Sequence, residues 1–226
     1  MHLVVFDIDG TLTNTSLVDG ECYWRAVCEV FGLSGEQPEW TDFRHVTDLG
    51  IASELCERHL GRQLSSADAN ALSRRLTIQL DFALVRNDPT AYQIPGSEDV
   101  LSILTSSSEF AVALATGGFR LTAELKLRRA GLFNPSIPLA SSDDAASREN
   151  IMRVAARRAA ERYATQFDKF TYVGDGVWDV KAARALGWRF MGIGSGVRAD
   201  QLRQAGAELT IPNYGPAGVF LDLLAG

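Results

Sequence analysis

The chain has 226 residues, 46% of them hydrophobic, enough for one sizeable core and a smaller second one. A net charge of −6 and a pI near 5.1, with no basic block, argue against nucleic acid or an anionic membrane surface as a partner, and no apolar run reaches spanning length. Cys22, Cys28 and Cys56 are odd in number and form no CxxC pair, so reduced thiols in a cytoplasmic protein are expected, and the scattered His2, His45 and His59 suggest no ligand cluster. The amino terminus leads directly into the first apolar run, which leaves no room for a signal peptide.

That run is Leu3 to Phe6, followed by Asp7, Asp9 and Gly10. A short uninterrupted apolar stretch ended by Gly predicts a strand buried on both faces, with Asp7 at its carboxyl end. After Thr13 the rhythm becomes helical. Tyr23, Trp24, Val27, Val30 and Phe31 share a face and Gly32 stops them. Residues 33–47 read as loop. Asp48 is placed to cap a helix carrying Ile51, Leu55 and Leu60, which Gly61 ends. Ser65 or Ser66 opens a third helix with Leu72, Leu76, Leu80 and Val85, closed by Asn87, Asp88 and Pro89. Residues 14–90 are thus expected to form an all-helical domain inserted into a core made of 1–13 and 91–226.

From Tyr92 strands and helices alternate. The predicted strands are 110–115, 137–140, 170–173, 189–193 and, at an edge, 208–211. Helices are expected near 97–105, up to Ala130, over 148–162, over 177–186 and over 215–224. Such alternation predicts an α/β fold: a doubly wound parallel sheet joined by right-handed crossovers.

Three strand ends carry polar groups: Asp7 with Asp9, Thr116, and Asp175 with Asp179. Singly, each could be a helix cap or a plain strand end. Jointly they crowd carboxylates on one sheet edge, and two like charges about 4 Å apart repel by roughly 4 kcal/mol at an effective dielectric of about 20. The cluster asks for a cation, and an all-oxygen donor set suits Mg²⁺.

The run Asp7-Ile8-Asp9-Gly10-Thr11-Leu12 resembles the DxDGT signature of the haloacid dehalogenase-like (HAD) hydrolase superfamily. Thr116 with Gly117-Gly118 is similar to its second motif, and Gly174-Asp175-Gly176-Val177-Trp178-Asp179 to its fourth, GDxxxD. The insertion after the first motif resembles the superfamily's helical C1 cap, and His45-Val46-Thr47-Asp48 and Ile94-Pro95-Gly96 look like the phosphoglycolate phosphatase and β-phosphoglucomutase branch. The third motif departs. Many relatives have Lys there, whereas this chain has Ser147-Arg148-Glu149-Asn150. Arg148 is the best candidate for the missing cation, unless it is a solvated helix-start residue. Lys126, Lys169 and Lys181 lie away from the motif position.

The resemblance implies that Asp7 is a nucleophile forming an aspartyl-phosphate, and that Asp9 is the general acid/base. It implies Mg²⁺ held by the Asp7 side chain, the Asp9 carbonyl and Asp175, with Asp179 orienting a metal-bound water. Thr116, Gly117 and Arg148 would hold the phosphate. In the cap, Arg44 and Thr47, with Asp48 and Trp40, are the substrate-contact candidates; exposed loop polarity is the simpler explanation for them. The implied partner is a small-molecule phosphate ester, on a monomer or homodimer. A sugar-phosphate mutase and a non-catalytic phosphoester-binding protein stay open as alternatives. A dehalogenase is disfavoured by Asp9, which attack on carbon does not need. Trp178 has no assignment beyond packing under the cap.

Overall fold

β1 (His2–Phe6) lies at the middle of a six-stranded sheet in which every pairing is parallel. This architecture is that of a computed structural model, which describes residues 1–85 and 88–226. The other strands are β2 (Phe110–Ala115), β3 (Leu139–Ala140), β4 (Lys169–Gly174), β5 (Arg189–Ile193) and β6 (Leu209–Ile211), in the order β3-β2-β1-β4-β5-β6. The order reverses at β1, flanked by β2 and β4, so loops from these three strands meet where open α/β sheets bind ligands.

Alternation along the strands sorts two apolar clusters. Val4 and Phe6 point to one, Leu3 and Val5 to the other. In β2 the second face is all alanine (Ala111, Ala113, Ala115), so α6 (Arg148–Tyr163) packs there through its own Ala155 and Ala159. α7 (Val177–Leu186) and α8 (Gly196–Gln204) complete that layer. The opposite face carries α4 (Ser97–Ser106), α5 (Arg120–Arg129) and α9 (Ala217–Ala225). Full burial of a side chain such as Phe6 contributes about 1.5–3 kcal/mol.

Between β1 and α4 lie α1 (Ser16–Phe31), α2 (Asp48–Leu55) and α3 (Ser66–Ala83). Their apolar faces join the same cluster as Val4 and Phe6. The chain enters and leaves this helical insertion side by side. Thr13 bridges Gln93, the Asn14 amide donates to Tyr92 O (2.8 Å), and the Ile94 amide donates to Leu12 O (3.0 Å).

Several elements differ from the sequence expectation. Thr47, not Asp48, caps α2: its Oγ1 accepts the Gly50 amide at 3.0 Å. α2 ends at Leu55 and passes into a π turn over Cys56–Leu60, stopped by Gly61 in the left-handed conformation. Ser65 opens α3 with a reciprocal capping box to Asp68, but the helix ends at Ala83 and Val85 is exposed beyond it. Asn87 lies outside the described residues. β3 begins only at Leu139, since Pro138 has no amide to extend the ladder and contributes its carbonyl alone, to the Leu114 amide. α8 was not expected at all. Among the described residues, no helix is long and apolar enough to cross a membrane.

Candidate active site

Asp7 follows the last residue of β1, and its amide donates to Val173 O in β4 at 2.9 Å, which holds it at the sheet edge. Gly10, at φ 74°, turns the chain back; a Cβ there would strike the Asp175 carboxylate. Asp175 follows β4. Asp179 lies in the first turn of α7, fully buried, with Oδ2 accepting the Gly176 amide at 2.9 Å. Asp7, Asp175 and Asp179 each offer an oxygen, and the three oxygens lie within 4.8 Å of one another.

Arg148 is the buried counter-charge. It opens α6 behind the Ser147 cap, and its Nη1 lies 3.2 Å from Asp7 Oδ1 and 3.0 Å from Asp179 Oδ1. Nη2 donates to Val46 O at 3.1 Å, a contact from the core to the insertion. Nε is buried and makes no hydrogen bond among the described residues. Gly117 gives the guanidinium room, because a Cβ there would strike Nη2 and come within 3.0 Å of Val46 O. Thr116 follows β2, with its Oγ1 accepting the Gly118 amide at 3.1 Å.

Arg148, with Arg198 on Asp175, still leaves the three carboxyls one charge short of balance. Burial, then the neighbouring Asp179, pushes Asp7 well above the ordinary carboxylate range against the pull of Arg148. Burial lifts Asp175 to about 7 against Arg198, whose Nη1 pairs with Asp175 Oδ2. Burial also raises Asp179, opposed by Arg148.

A second charged group lies beside the first. Lys126, on α5, is fully buried, with Nζ 2.5 Å from Asp9 Oδ2 and 2.7 Å from Asp19 Oδ1. Thr15 Oγ1 donates to Asp9 Oδ1 at 2.6 Å. The Asp9 side chain therefore stands outside the group formed by Asp7, Asp175 and Asp179. Asp48, also buried, accepts the Phe119 amide at 2.8 Å, and its own amide donates to Gly117 O at 2.8 Å.

Both groups open on a cavity of about 510 Å³ between the sheet edge and the insertion. Asp7, Asp9, Thr116, Gly117, Arg148 and Asp175 line it, with Asp19, Trp40, Thr47 and Asp48 on the insertion side and Trp178 and Arg198 at the α7–α8 side. Thr47 spends its hydroxyl on Ala146 O (2.7 Å) and the α2 cap, so what it presents to the cavity is not a free donor. Arg44 is not in the cavity wall. It is exposed, and its amide donates to Glu54 Oε2 at 3.0 Å, so the structure does not bring it together with the residues of the cavity wall. Trp178 is half-buried, folded over Gly176 in the cavity wall.

Lys126, Asp19 and Arg198 were missed as site residues. Lys126 had been set aside as distant from the third motif. Its signal was position: it falls on the α5 stripe of Thr122, Ala123 and Leu127, where an apolar residue belongs. Arg198 came with the unexpected α8, which the parallel crossover from β5 to β6 required.

The haloacid dehalogenase-like hydrolase family model matches residues 1–187, and a second, HAD-hydrolase-like model matches residues 152–224. The chain belongs to the haloacid dehalogenase-like hydrolase family. Solved structures of similar fold include a hydrolase from Pseudomonas syringae, 21% identical over 100% of both chains with a TM-score of 0.74. Another is CbbY from Rhodobacter sphaeroides in complex with phosphate, 19% identical over 96% of both chains, TM-score 0.64. A third is a predicted phosphoglycolate phosphatase from Haemophilus somnus, 14% identical over 98% of both chains, TM-score 0.63. No curated protein matches the chain significantly. In this HAD-like chain Asp7 and Asp175 stand just after strand ends, Asp179 in the helix turn that follows β4, and Arg148 at the start of α6.

Proposed function

We propose that this HAD-like hydrolase is a Mg²⁺-dependent phosphatase acting on a small phosphorylated metabolite. The observation that carries the reading is Asp7, a buried carboxylate shared with Arg148, facing a cavity beside Thr116 and Gly117. Asp7 attacks phosphorus in line. A bond forms from its carboxylate to phosphorus as the bond to the leaving oxygen breaks, and Asp9, which enters this half as the carboxylic acid, gives that oxygen its proton and is left as the carboxylate. In the second half, water attacks the aspartyl-phosphate, its proton passes to Asp9, and the Asp7 carboxylate is released. The Thr116 hydroxyl and the Gly117 amide hold equatorial oxygens, and Arg148 supplies positive charge where negative charge gathers.

The three-carboxylate group fits a hard cation: its donors are all oxygen, and Arg148 leaves them under-neutralised. Asp7, Asp175 and Asp179, with the Asp9 carbonyl, are the residues that would hold Mg²⁺. Bound there, the ion supplies charge screening between the carboxylate and the phosphate and favours the ionised form of Asp7. We read the helical insertion as a cap that covers the ester and excludes water. Its Trp40 offers an apolar wall. The cavity size suits a small molecule rather than a macromolecular substrate.

The test is phosphate release from a panel of small phosphorylated metabolites and p-nitrophenyl phosphate, with and without Mg²⁺. The expected result is metal-dependent release that is absent in Asp7→Asn. Conversion of a hexose 1-phosphate to its isomer without free phosphate would replace hydrolysis by transfer. Metal-independent halide release from a haloacid would overturn the reading.

A further inference from the structure

A fully buried lysine paired with two carboxylates from different parts of the fold needs a reason. Taking an ammonium and two carboxylates out of water costs several kcal/mol per ion before their attraction returns any of it. An apolar residue at position 126 would continue the α5 stripe without that cost. The Lys126 ammonium instead sits at a junction. It meets Asp9 from the loop after β1 at 2.5 Å and Asp19 from the first turn of α1 at 2.7 Å. It also lies under the turn after β2, where a Cβ at Gly118 would be 3.6 Å from Nζ.

Asp9 is gripped from both sides. Thr15, the residue before α1, donates to Oδ1 at 2.6 Å, and Lys126 donates to Oδ2. Thr13 Oγ1 lies 2.6 Å from Thr15 Oγ1 and 3.1 Å from Ile8 O, and with the Thr15 proton spent on Asp9 its single proton is shared between these two acceptors, so the chain of contacts closes on the same loop. With a charged donor on one oxygen and a hydroxyl on the other, the carboxyl group of Asp9 cannot rotate freely. Two of the three anchors, Thr15 and Asp19, belong to the start of the helical insertion.

We propose that Lys126 is a positioning residue: it aims the Asp9 carboxyl at the leaving oxygen and, through Asp19, ties that aim to the seating of the insertion. The inference rests on Asp9 being the acid/base of the proposed phosphatase. A misplacement of about 1 Å costs an oriented proton donor about 100-fold in rate. Lys126 does this without touching the ester. It is absent from the cavity wall, whereas Asp9 and Asp19 both line it.

The leaving group separates this role from a merely structural one. An alkoxide must be protonated as it departs, whereas p-nitrophenolate leaves without help. The experiment compares kcat and KM of the full chain and of Lys126→Met on p-nitrophenyl phosphate and on the alkyl ester that the unaltered enzyme hydrolyses best. The expected result is a kcat lower by about 100-fold on the alkyl ester and by less than about threefold on p-nitrophenyl phosphate, with KM moving less than kcat. Equal losses on the two esters, or no loss on either, would overturn the proposal. If Lys126→Met does not fold by circular dichroism, Asp19→Asn decides. It leaves Lys126 and Asp9 in place and cuts only the charged link to α1, so the same split is expected at smaller size, and its absence would overturn the proposal. Failure of the phosphatase reading looks different: the unaltered enzyme releases phosphate from neither ester, and the inference falls with it.

Discussion

Two buried charge groups share the carboxyl edge of the sheet and are built on opposite plans. Asp7, Asp175 and Asp179 are three carboxyls around one buried Arg, and burial leaves all of them raised above their ordinary range. Asp9 and Asp19 are two carboxyls on one Lys, with the Thr15 hydroxyl on Asp9, and the Lys is held above its ordinary range because Asp19 and Asp9 outweigh its burial. The first group carries excess negative charge and faces the cavity. The second also has one carboxyl more than its Lys, and burial raises Asp19 to about 6 against Lys126, but its ammonium and hydroxyl donors are balanced against acceptors inside the group, and it joins the insertion to the core. The proposed uptake of a cation and a phosphate uses the unbalanced plan; the proposed holding of one side chain uses the balanced one.

The largest expected effect breaks the unbalanced group at its centre. Asp7→Asn should lower phosphate release by at least ~10⁴-fold while the protein stays folded, since the amide removes a carboxyl that burial already penalises. Steady-state rates and a thermal melt check both halves. Next, Arg148→Met removes the shared counter-charge and should destabilise the protein by about 3–5 kcal/mol in urea unfolding. Arg148→Lys should recover charge but not the reach of the guanidinium fork from Asp7 to Val46 O.

Metal sharpens the comparison. Mg²⁺ at about 100 times its Kd should stabilise the protein by about 2.7 kcal/mol, and Asp175→Asn should abolish that gain. The sign with pH follows from Asp175. Its carboxyl is raised from 3.8 to about 7, so without metal its contribution to stability is full below 3.8 and is lost as pH rises to about 7. The ion needs the carboxylate form, so the Mg²⁺-induced gain should grow over that same window. A melt series with and without Mg²⁺ reads both slopes.

The smallest effect lies away from both groups and serves as the control. His2 is lowered to about 4, chiefly by burial, with Lys169 and Arg189 adding to it. A base with a depressed folded value contributes stability present above 6.5 and lost as pH falls toward 4. His2→Gln, which can keep the bond to Thr171 Oγ1 (2.9 Å), should flatten that acid limb and leave activity unchanged.

The unbalanced group was legible in sequence because Asp7 ends an apolar run, Asp175 follows a Gly, and Asp179 stands four residues on in the same GDxxxD pattern. Leu3 to Phe6 before Asp7 and Gly174 before Asp175 mark strand ends without any tertiary knowledge, and Ser147 marked the helix start that carries Arg148. The balanced group was not legible. Its partners come from residues 9, 19 and 126, joined only by the packing of α1 and α5 against the β1 loop, and a charged residue on a helix reads by default as solvated. Lys126 carried one sequence signal, its place on the α5 stripe of Thr122, Ala123 and Leu127, but its partners are seen only in the fold. α8 escaped for a related reason: it buries only Ala199 and Leu202, too weak a stripe to announce a helix, although the parallel β5–β6 connection demands one. Of the two cap candidates Thr47 lines the cavity and Arg44 does not, a difference that loop polarity alone does not carry.

The account's central claim is that Asp7 itself carries the phosphoryl group during turnover. The direct measurement is rapid acid quench of the Mg²⁺-loaded enzyme with a substrate ester, followed by mass analysis of the peptide bearing residue 7. The account predicts one added phosphoryl group on Asp7 in the unaltered protein and none in Asp7→Asn. Sustained Mg²⁺-dependent turnover by Asp7→Asn, or a phosphoryl group trapped on another residue, would contradict it.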